Sequence, residues 1–426
     1  MPGLMLPANL KNSFTIRYSL FAAVYIMQTK KTDYLMIGAG IIGLTLAKQL
    51  KERFPDKKII ILEKEPDVAC HSSGRNSGVL HSGFYYTADS LKARFTRDGN
   101  RLMKEYCKAN GLALNECGKV VVASNEGELK GLYELERRGK ANGVDVRLIN
   151  EKELATIEPN AKTFKHALYS PSTATVDPVG INLHIKNSLL NAGVEIRFCE
   201  GYAARSGANT VRTSSGALIE AEKIINAAGL YADKIARDFG YSQNYVIIPF
   251  KGIYLKYDGG AKTARANIYP VPDLKNPFLG VHFTVTVDGT VKIGPTAIPA
   301  FWRENYQGLD NFRLGETMAV MYYEARLFLT NSFGFRNLAF EEMRKYYKPY
   351  FIGLGKKLVR ELDPAGFRHW SKPGIRAQLL NTKTLELLQD FVVEGDKNSV
   401  HILNAVSPAF TSSFPFTRWV IDNHLN

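Results

Sequence analysis

Three glycines at residues 38, 40 and 43 form a GxGxxG motif, a pattern that can bind a dinucleotide. Gly38 permits a tight turn, Gly40 lets the backbone approach a pyrophosphate, and Gly43 lets a helix pack closely on a strand. Glu63 follows Gly43 by 20 residues, and Lys64 is adjacent to it. An acid at this position can accept hydrogen bonds from a ribose and repels a 2′-phosphate. The motif therefore predicts a site for NAD or FAD and disfavours NADP.

The segments around this motif are typical of a βαβ unit. An apolar strand, YLMI, precedes the glycines, a helical segment follows as LTLAKQL, and a second strand, KKIIILE, ends at Glu63. Apolar strands recur later as KIINAAG (223–229) and VHILNA (400–405). Residues 245–300 instead contain short β-like runs separated by turns, and residues 315–362 return to a helical pattern.

This order of segments predicts an α/β protein in which a discontinuous Rossmann-like domain holds a second, α+β substrate domain built on a mostly antiparallel sheet. The predicted Rossmann-like domain comprises residues 33–112, 166–240 and 372–426. The predicted substrate domain comprises residues 113–165 and 241–371, and residues 1–32 form an N-terminal extension.

The composition is that of an ordinary globular protein. Of 426 residues, 45% are hydrophobic and 23% are charged, which excludes a disordered chain, a collagen-like rod and a small disulfide scaffold. Lys and Arg exceed Asp and Glu by 55 to 41, a net charge of +14 that permits nucleic acid, an anionic membrane or an acidic substrate as partner. The four cysteines form no CxxC pair, so we expect reduced thiols and no metal site.

The N-terminal extension leaves two readings open. It contains four cations and no acid, and its apolar run Ser19–Met27 is too short to span a bilayer. No small-residue cleavage site of a signal peptide follows this run. The extension is either a targeting segment, such as a mitochondrial presequence, or a disordered or artefactual stretch that precedes a start at Met27.

Four further stretches, together with the glycine motif, resemble the D-amino-acid oxidase-like FAD oxidoreductases and, among them, the L-2-hydroxyglutarate dehydrogenases. They are CHSSGRNSGVLHSGFYYT from Cys70, PFKGIYL from Pro249, GVHFT from Gly280 followed by Asp288-Gly289 and Gly294-Pro295, and NAVSPAFTSS from Asn404. The resemblance runs from about residue 33 to the C-terminus. It implies that the Rossmann-like domain is an FAD-binding domain and that L-2-hydroxyglutarate is oxidised to 2-oxoglutarate by hydride transfer to the flavin.

The resemblance also implies which residues hold FAD. It places residues 71–83 against the flavin, where side-chain donors and glycines for close approach are Arg75, Asn76, Ser77 and Gly78. The KIINAAG strand would bring backbone close to the AMP half of FAD at Ala227 and Gly229. SPAFTSS would begin a helix whose amides stabilise negative charge on the flavin. Its contributing residues would be Ser407, Pro408 and Thr411, with Ser407 and Thr411 as caps.

A 2-hydroxy dicarboxylate requires cations for its carboxylates and a base for its hydroxyl proton. By resemblance, Arg376 holds a substrate carboxylate, and Lys251 lies near the pocket as a second cation. Tyr254 lies close to Lys251 in sequence and is a further candidate. For the general base, His282 is the first choice and His81 the second, since imidazole titrates near neutral pH.

Ten aromatic residues lie between Tyr322 and Phe351, with Arg344, Lys345, Lys348, Lys356 and Lys357 among or just after them. Basic and aromatic helices can dock on an anionic membrane, which would suit a quinone as electron acceptor, with oxygen as the other candidate. In the other interpretation, the aromatic residues form the core of a helical subdomain and the cations are solvated.

Three rival functions follow from the same features. A related family member could act on an amino acid or on glycerol 3-phosphate, and a basic flavoprotein could serve RNA modification. We do not expect nucleic acid as a partner, because the basic residues are dispersed and no RNA-binding module is apparent. An NAD-dependent dehydrogenase would leave residues 71–83 and 404–413 without a role. The expected location is the cytoplasm or the cytoplasmic face of a bacterial inner membrane, or the mitochondrion in a eukaryote.

Overall fold

The computed structural model describes residues 29–259, 263–272, 280–405 and 407–425. The run Ser19–Met27, interpreted above either as part of a targeting segment or as part of a disordered or artefactual stretch, lies outside these residues. The described N-terminal part begins with a strand that starts at Lys30, three residues before the predicted start of the first domain.

Strands and helices alternate along most of the described chain. The strands are, in chain order, β1 (Lys30–Ile37), β2 (Ile59–Leu62), β3 (Val79–Leu80), β4 (Leu114–Asn115), β5 (Lys119–Val122), β6 (Arg147–Asn150), β7 (His166–Ser170), β8 (Ala174–Val176), β9 (Glu195–Arg197), β10 (Tyr202–Arg205), β11 (Thr210–Thr213), β12 (Leu218–Asn226), β13 (Tyr245–Gly252), β14 (Leu255–Tyr257), β15 (Asn267–Pro270), β16 (His282–Val285), β17 (Val291–Gly294), β18 (Ile298–Pro299), β19 (Phe367–Trp370), β20 (Gly374–Asn381), β21 (Val392–Gly395) and β22 (Ser399–Asn404).

The helices of the described residues are α1 (Ile41–Arg53), α2 (Leu91–Ala109), α3 (Glu126–Ala141), α4 (Glu151–Ile157), α5 (Pro178–Asn191), α6 (Ala232–Asp238), α7 (Leu314–Thr330), α8 (Phe335–Arg344), α9 (Lys348–Lys356) and α10 (Ala409–His424).

The first large sheet has a parallel centre, in the order β9, β2, β1, β12, β22. The strand β21 adds antiparallel to β22, and β11 adds antiparallel to β12. Alternate residues of β1 enter two separate cores: Met36 packs with α1, α2, α5 and α10 on one face, and Leu35 packs with α6 on the other. A parallel sheet covered by helices on both faces is the Rossmann-like arrangement that the glycine motif predicts.

The second large sheet has the order β19, β14, β17, β16, β15, β5, β7, β6. All of its neighbours pair antiparallel except β15 and β5. Its core contains Val120, Ile268, Phe283 and Phe351. The predicted fold class, a Rossmann-like domain with an α+β domain on a mostly antiparallel sheet, is confirmed.

The strand pairing also bears on where one domain ends and the other begins. The strand β7 pairs with β5 and β6 in the second sheet, although residues 166–170 are assigned to the first domain by sequence. The strand β20 pairs along its length with β13 in a small third sheet that also contains β18. We therefore propose that the second domain includes residues 166–170 and β20, since hydrogen-bonded strands belong to one folding unit.

Candidate functional site

The glycine motif forms the turn between β1 and α1, and its geometry admits no side chain at Gly38 or Gly43. Gly38 has a φ of +105°, a conformation that side chains disfavour. A Cβ on Gly38 would lie 2.7 Å from the carbonyl oxygen of Ala227, and a Cβ on Gly43 would lie 2.0 Å from the carbonyl oxygen of Gly38. The start of α1 is thereby held against the ends of two parallel strands.

This turn opens on a cleft of about 840 Å³ whose walls come from parts of the chain that are far apart in sequence. Gly43 and Gly78 lie outside the lining, with a Cβ on Gly78 only 2.6 Å from the carbonyl oxygen of Val176. The other predicted cofactor residues all line the cleft; they are Gly38, Gly40, Glu63, Lys64, Arg75, Asn76, Ser77, Ala227, Gly229, Ser407, Pro408 and Thr411.

Glu63 stands at the end of β2 and is bound to the glycine turn. One carboxylate oxygen accepts a hydrogen bond from the Ala39 amide at 2.8 Å, and the other accepts one from the Glu65 amide at 3.0 Å. An ionised carboxylate can accept about four hydrogen bonds, so further acceptor sites remain for ribose hydroxyls. The placement fits the predicted ribose contact.

The polar side chains of residues 71–78 mostly organise their own loop. Asn76 accepts a hydrogen bond from the Gly78 amide at 2.8 Å and donates to the carbonyl of Ser73 at 2.9 Å. The hydroxyl of Ser73 accepts from the Ile41 amide at 2.8 Å, which ties the loop to the first residue of α1. The loop is thus fixed beside the glycine turn, and donation from Asn76 to FAD stays a prediction.

Arg75 is also engaged with protein. Its Nε donates to the carbonyl of Cys70 at 2.6 Å, and its guanidinium lies 4.3 Å from the ring centroid of Tyr306. A Cβ on Gly374 would lie 2.1 Å from the carbonyl oxygen of Arg75, so the loop packs directly on the start of β20. Donation from Arg75 to FAD oxygens likewise stays a prediction.

The start of α10 forms another wall, but its capping differs from the prediction. No side chain caps this helix, whose N-cap residue is Pro408. The Thr411 hydroxyl instead donates to the carbonyl of Val79 and accepts from the amide of His81, both at 3.3 Å. The expectation that Ser407 and Thr411 cap the helix is wrong, because Thr411 is turned toward the neighbouring segment and links α10 to it.

His81 lines the cleft directly after β3. Its Nδ1 lies 3.5 Å from Nζ of Lys119. Burial holds the pKa of His81 well below its usual value, and the nearby cations Lys119 and Arg376 lower it further. The imidazole is therefore neutral at pH 7 and able to accept a proton.

His282, the first choice for the base, does not line the cleft. Its ring stacks on Tyr269 with 3.7 Å between the centroids and an interplanar angle of 12°. Its Nε2 is buried and has no hydrogen-bond partner among the described residues. Burial lowers the pKa of His282, as do Lys119 and His81. His282 is thus buried outside the cleft lining to which His81 belongs.

The two cations predicted for the substrate carboxylates are not brought together. In the β13–β20 ladder, Lys251 is paired with Ile375, and Arg376 is paired with Phe250. Because side chains alternate between the faces of a strand, Lys251 and Arg376 point to opposite faces of the sheet. Arg376 lines the cleft, whereas Lys251 does not and donates instead to Asn305 at 3.3 Å.

Tyr254 lies just after β13 and lines the same cleft as Arg376. Burial raises the pKa of its phenol, while Arg376 and a hydrogen bond with Ser77 act in the opposite direction. Nζ of Lys292 lies 4.8 Å from the centroid of its ring. Tyr254 is therefore a neutral phenol beside the arginine, available to donate a hydrogen bond.

Lys119, the first residue of β5, is a component of this site that the sequence did not identify. It is fully buried, and burial lowers its pKa to about 7. It forms no ion pair with any carboxylate in the described part of the chain. The sequence KVVVAS is typical of an ordinary buried strand. Its one unusual feature is a lysine at the first position, and nothing in the sequence indicates that this lysine is buried beside His81.

Only one group of possible metal ligands occurs within the described residues: Glu65, His71 and Glu304, whose ligand atoms lie within 4.8 Å of one another. The ammonium of Lys64 bridges Glu65 and Glu304, at 2.6 Å from an oxygen of each. A lysine therefore supplies the positive charge at this position.

The aromatic residues of α7–α9 divide between core and surface. Phe335 and Phe351 are buried, and Lys345 is buried in an ion pair with Glu342. Five of the ten aromatic side chains are exposed, namely Tyr322, Phe333, Phe340, Tyr346 and Tyr347. In the ranges that the structure describes, none of the helices is long and apolar enough to cross a bilayer.

Comparison with known sequences gives a consistent result over nearly the whole chain. The profile of the family described as "FAD dependent oxidoreductase" matches residues 33–422. L-2-hydroxyglutarate dehydrogenase of Escherichia coli strain K12 is 34% identical over 394 residues, covering 91% of this chain and 92% of that protein. The mitochondrial L-2-hydroxyglutarate dehydrogenase of Mus musculus is 34% identical over 416 residues, covering 91% and 87%.

Solved structures with the same fold have lower sequence identity. A dithionite-reduced L-alpha-glycerophosphate oxidase from Mycoplasma pneumoniae with FAD bound superposes with a TM-score of 0.72 at 21% identity, covering 92% of this chain and 94% of that chain. Glycine oxidase from Geobacillus kaustophilus superposes with a TM-score of 0.67 at 18% identity, with the same coverage.

Proposed function

The chain belongs to the FAD dependent oxidoreductase family, and we propose that it oxidises L-2-hydroxyglutarate to 2-oxoglutarate. The observation that carries the proposal is the similarity to bacterial and mitochondrial L-2-hydroxyglutarate dehydrogenases across more than nine-tenths of the chain. A match of this extent includes both the dinucleotide turn and the residues that face it across the cleft.

FAD is the cofactor, and when bound it supplies the hydride acceptor. The cleft fits this cofactor because the glycine turn leaves room for a pyrophosphate at the start of α1. In this proposal Glu63 would bind the ribose, Ala227 and Gly229 would lie against the AMP half, and the start of α10 would lie against the flavin end of FAD; all of them line the cleft.

Arg376 is proposed to bind a substrate carboxylate. A guanidinium can hold a carboxylate through two parallel hydrogen bonds, which fixes both the position and the plane of the group. Arg376 shares the cleft with His81 and Tyr254, and its charge affects the pKa of both. The substrate carboxylate would therefore lie within reach of a neutral imidazole and a neutral phenol.

His81 is proposed to take the proton from the C2 hydroxyl. Of the two candidate histidines it is the one that lines the cleft, and its lowered pKa keeps it in the basic form at neutral pH. Removing this proton leaves negative charge on the hydroxyl oxygen, which favours departure of the C2 hydrogen as hydride. Tyr254 can donate a hydrogen bond that orients the same oxygen.

We also propose that α7–α9 dock on an anionic membrane and that a quinone receives the electrons there. The exposed aromatic residues lie in the same stretch of chain as the exposed cations Arg344, Lys356 and Lys357. Aromatic rings favour the membrane–water interface, and each cation near an anionic surface adds about 1 kcal/mol of attraction. The protein would then act at the cytoplasmic face of a bacterial inner membrane or at a mitochondrial membrane.

The test is anaerobic reduction of the bound flavin, followed as loss of absorbance near ~450 nm. The panel contains L- and D-2-hydroxyglutarate, L-malate, L-lactate, glycine, D-alanine and glycerol 3-phosphate. We expect rapid bleaching by L-2-hydroxyglutarate alone. Faster bleaching by an amine or by glycerol 3-phosphate would overturn the substrate while leaving the family and its cofactor in place.

A further inference from the structure

Lys119 is the buried cation closest to the proposed base, and its surroundings are unusual. Its Nζ lies 3.5 Å from Nδ1 of His81, and the side chain is inaccessible to solvent. It lies in the middle of the second sheet, where β5 is hydrogen-bonded to β7 on one side and to β15 on the other. Burying a lysine costs several kcal/mol when its charge is unpaired, so a purely structural role would be better filled by an apolar residue.

Aromatic rings take the place of an acidic partner around Lys119. Nζ lies 4.0 Å from the ring centroid of Tyr269, 5.1 Å from that of Tyr85 and 5.7 Å from that of Phe84. Ring faces attract a cation without becoming negative themselves, so the ammonium is tolerated but not fixed as it would be by a carboxylate. Burial lowers the pKa of Lys119 to about 7, which leaves both protonation states accessible near neutral pH.

The other titratable groups near this pair do not compete for the proton. They face Lys119 and His81 from three strands and three loops, and they are Cys117, Tyr85, Tyr254, Tyr269, His282 and Arg376. Burial raises the pKa of each phenol and of the thiol, so these groups stay protonated. Burial likewise lowers the pKa of His282, whose ring stays neutral.

We propose that Lys119 is a positioning residue that acts through His81 and receives its proton during the reaction. The inference rests on the proposed oxidation of a 2-hydroxy acid. As the O–H bond of the substrate breaks, an N–H bond forms at Nε2 of His81. The Nδ1–H bond of His81 then breaks, and a new N–H bond forms at Nζ of Lys119.

The step balances in protons and electrons. The hydroxyl proton ends as one positive charge on Lys119, and His81 returns to its neutral state with the other nitrogen protonated. The C2 hydrogen leaves with its electron pair and the substrate becomes a ketone; bound FAD, the oxidant of the family, would supply the acceptor for this pair.

The test compares K119M and K119R with wild type in the FAD-loaded enzyme. The rate of flavin reduction by L-2-hydroxyglutarate is measured from about pH 5.5 to about pH 9.5. Wild type should lose activity as the pH falls and Lys119 becomes protonated. We expect K119M to reduce the limiting rate at least ~10-fold and to change this acidic limb. Arginine should not rescue, since it stays protonated, whereas rescue by K119R would indicate a purely electrostatic or structural role.

K92M is the matched control. Lys92 is also a buried lysine whose pKa is lowered, to about 8, but its Nζ donates to the carbonyl of Gln389 rather than to a histidine. We expect K92M to keep the wild-type pH profile. A limiting rate within ~2-fold of wild type for K119M, with an unchanged acidic limb, would overturn the proposal.

A second measurement needs no substrate, and its main readout uses the wild-type protein. The ring of His81 is followed by NMR of ¹³C-labelled histidine in the FAD-loaded wild type. Two titration steps are expected, because a neighbouring amine that titrates nearby couples to the ring, and a single step overturns the proposal. K119M should raise the pKa of His81. This titration is independent of the substrate panel, so failure of Lys119 and failure of the proposed substrate are told apart.

Discussion

At the scale of single residues, the ring nitrogens of two histidines have different surroundings. His81 lines the cleft and has a lysine against its Nδ1. His282 stacks on Tyr269, and its buried Nε2 has no partner among the described residues. A general base must reach the proton it removes, so lining the cleft favours His81, although His282 is the first choice from the sequence.

We predict that H81N lowers the limiting rate of flavin reduction by ~100-fold or more, because general-base catalysis commonly contributes this much. H282N should lower it by less than ~10-fold, since that ring supports the wall from behind. The measurement is stopped-flow reduction at saturating substrate, with FAD content as the control for folding. A larger loss in H282N than in H81N would return the role of base to His282.

Single residues also show what the sequence could and could not reveal. The tight turn at the glycines and the position of Glu63 beside it could be predicted, because the motif specifies the backbone conformation and the type of ligand. Lys119 was not, since a lysine at the first position of an apolar strand is normally expected to reach solvent. Its proximity to His81 depends on contacts between residues 38 positions apart in the chain.

At the scale of elements, the turn between β1 and α1 depends on close backbone contact. A Cβ on Gly43 would lie 2.0 Å from the carbonyl oxygen of Gly38, so the strand and the helix could not both keep their positions. Gly353 in α9 offers a contrast, because a Cβ there would meet nothing within 4 Å.

We predict that G43A reduces the FAD retained after gel filtration by ~10-fold or more and lowers the melting temperature. The matched variant G353A should retain FAD and gain up to ~1 kcal/mol in stability, because alanine favours a helix over glycine. The measurements are flavin absorbance per polypeptide and thermal unfolding. Full FAD retention in G43A would show that the turn can be rebuilt without glycine.

The pairing of strands explains why one pair of site residues was wrongly expected to act together. Sequence patterns indicate that β13 and β20 are strands, but they do not give the register between them. The register sets Lys251 opposite Ile375 and Arg376 opposite Phe250, and a shift of one residue would have placed the two cations on one face. Pairing information of the same kind is the basis for the proposed reassignment of β7 to the second domain.

At the scale of the whole molecule, the surface formed by α7–α9 differs from the rest. Phe333 and Tyr347 are about 70% and 69% exposed, which is more than any other aromatic side chain of the described residues. Large apolar side chains gathered on a basic surface are typical of proteins that bind membranes or partners. Their exposure favours the docking interpretation over a purely internal role.

We predict that the FAD-loaded protein floats with vesicles containing phosphatidylglycerol and that high salt weakens the binding, since the attraction is partly electrostatic. The double variant F333S/Y347S should bind at least ~10-fold more weakly. Y133S, which changes an exposed tyrosine on α3, should bind like wild type. Equal binding by wild type, F333S/Y347S and Y133S would show that Phe333 and Tyr347 do not mediate membrane binding.

The cleft walls are contributed by residues between 37 and 411, so the start of α10 completes the site. Thr411 in this helix binds the segment at His81, and Gly99 of α2 lies in close contact with its backbone. A nascent chain still emerging from the ribosome therefore has the glycine turn long before it has the opposite wall. Enclosure of FAD has to wait until residues 407–411 have been synthesised, and a chain truncated before residue 407 carries the dinucleotide motif without a site that encloses the cofactor.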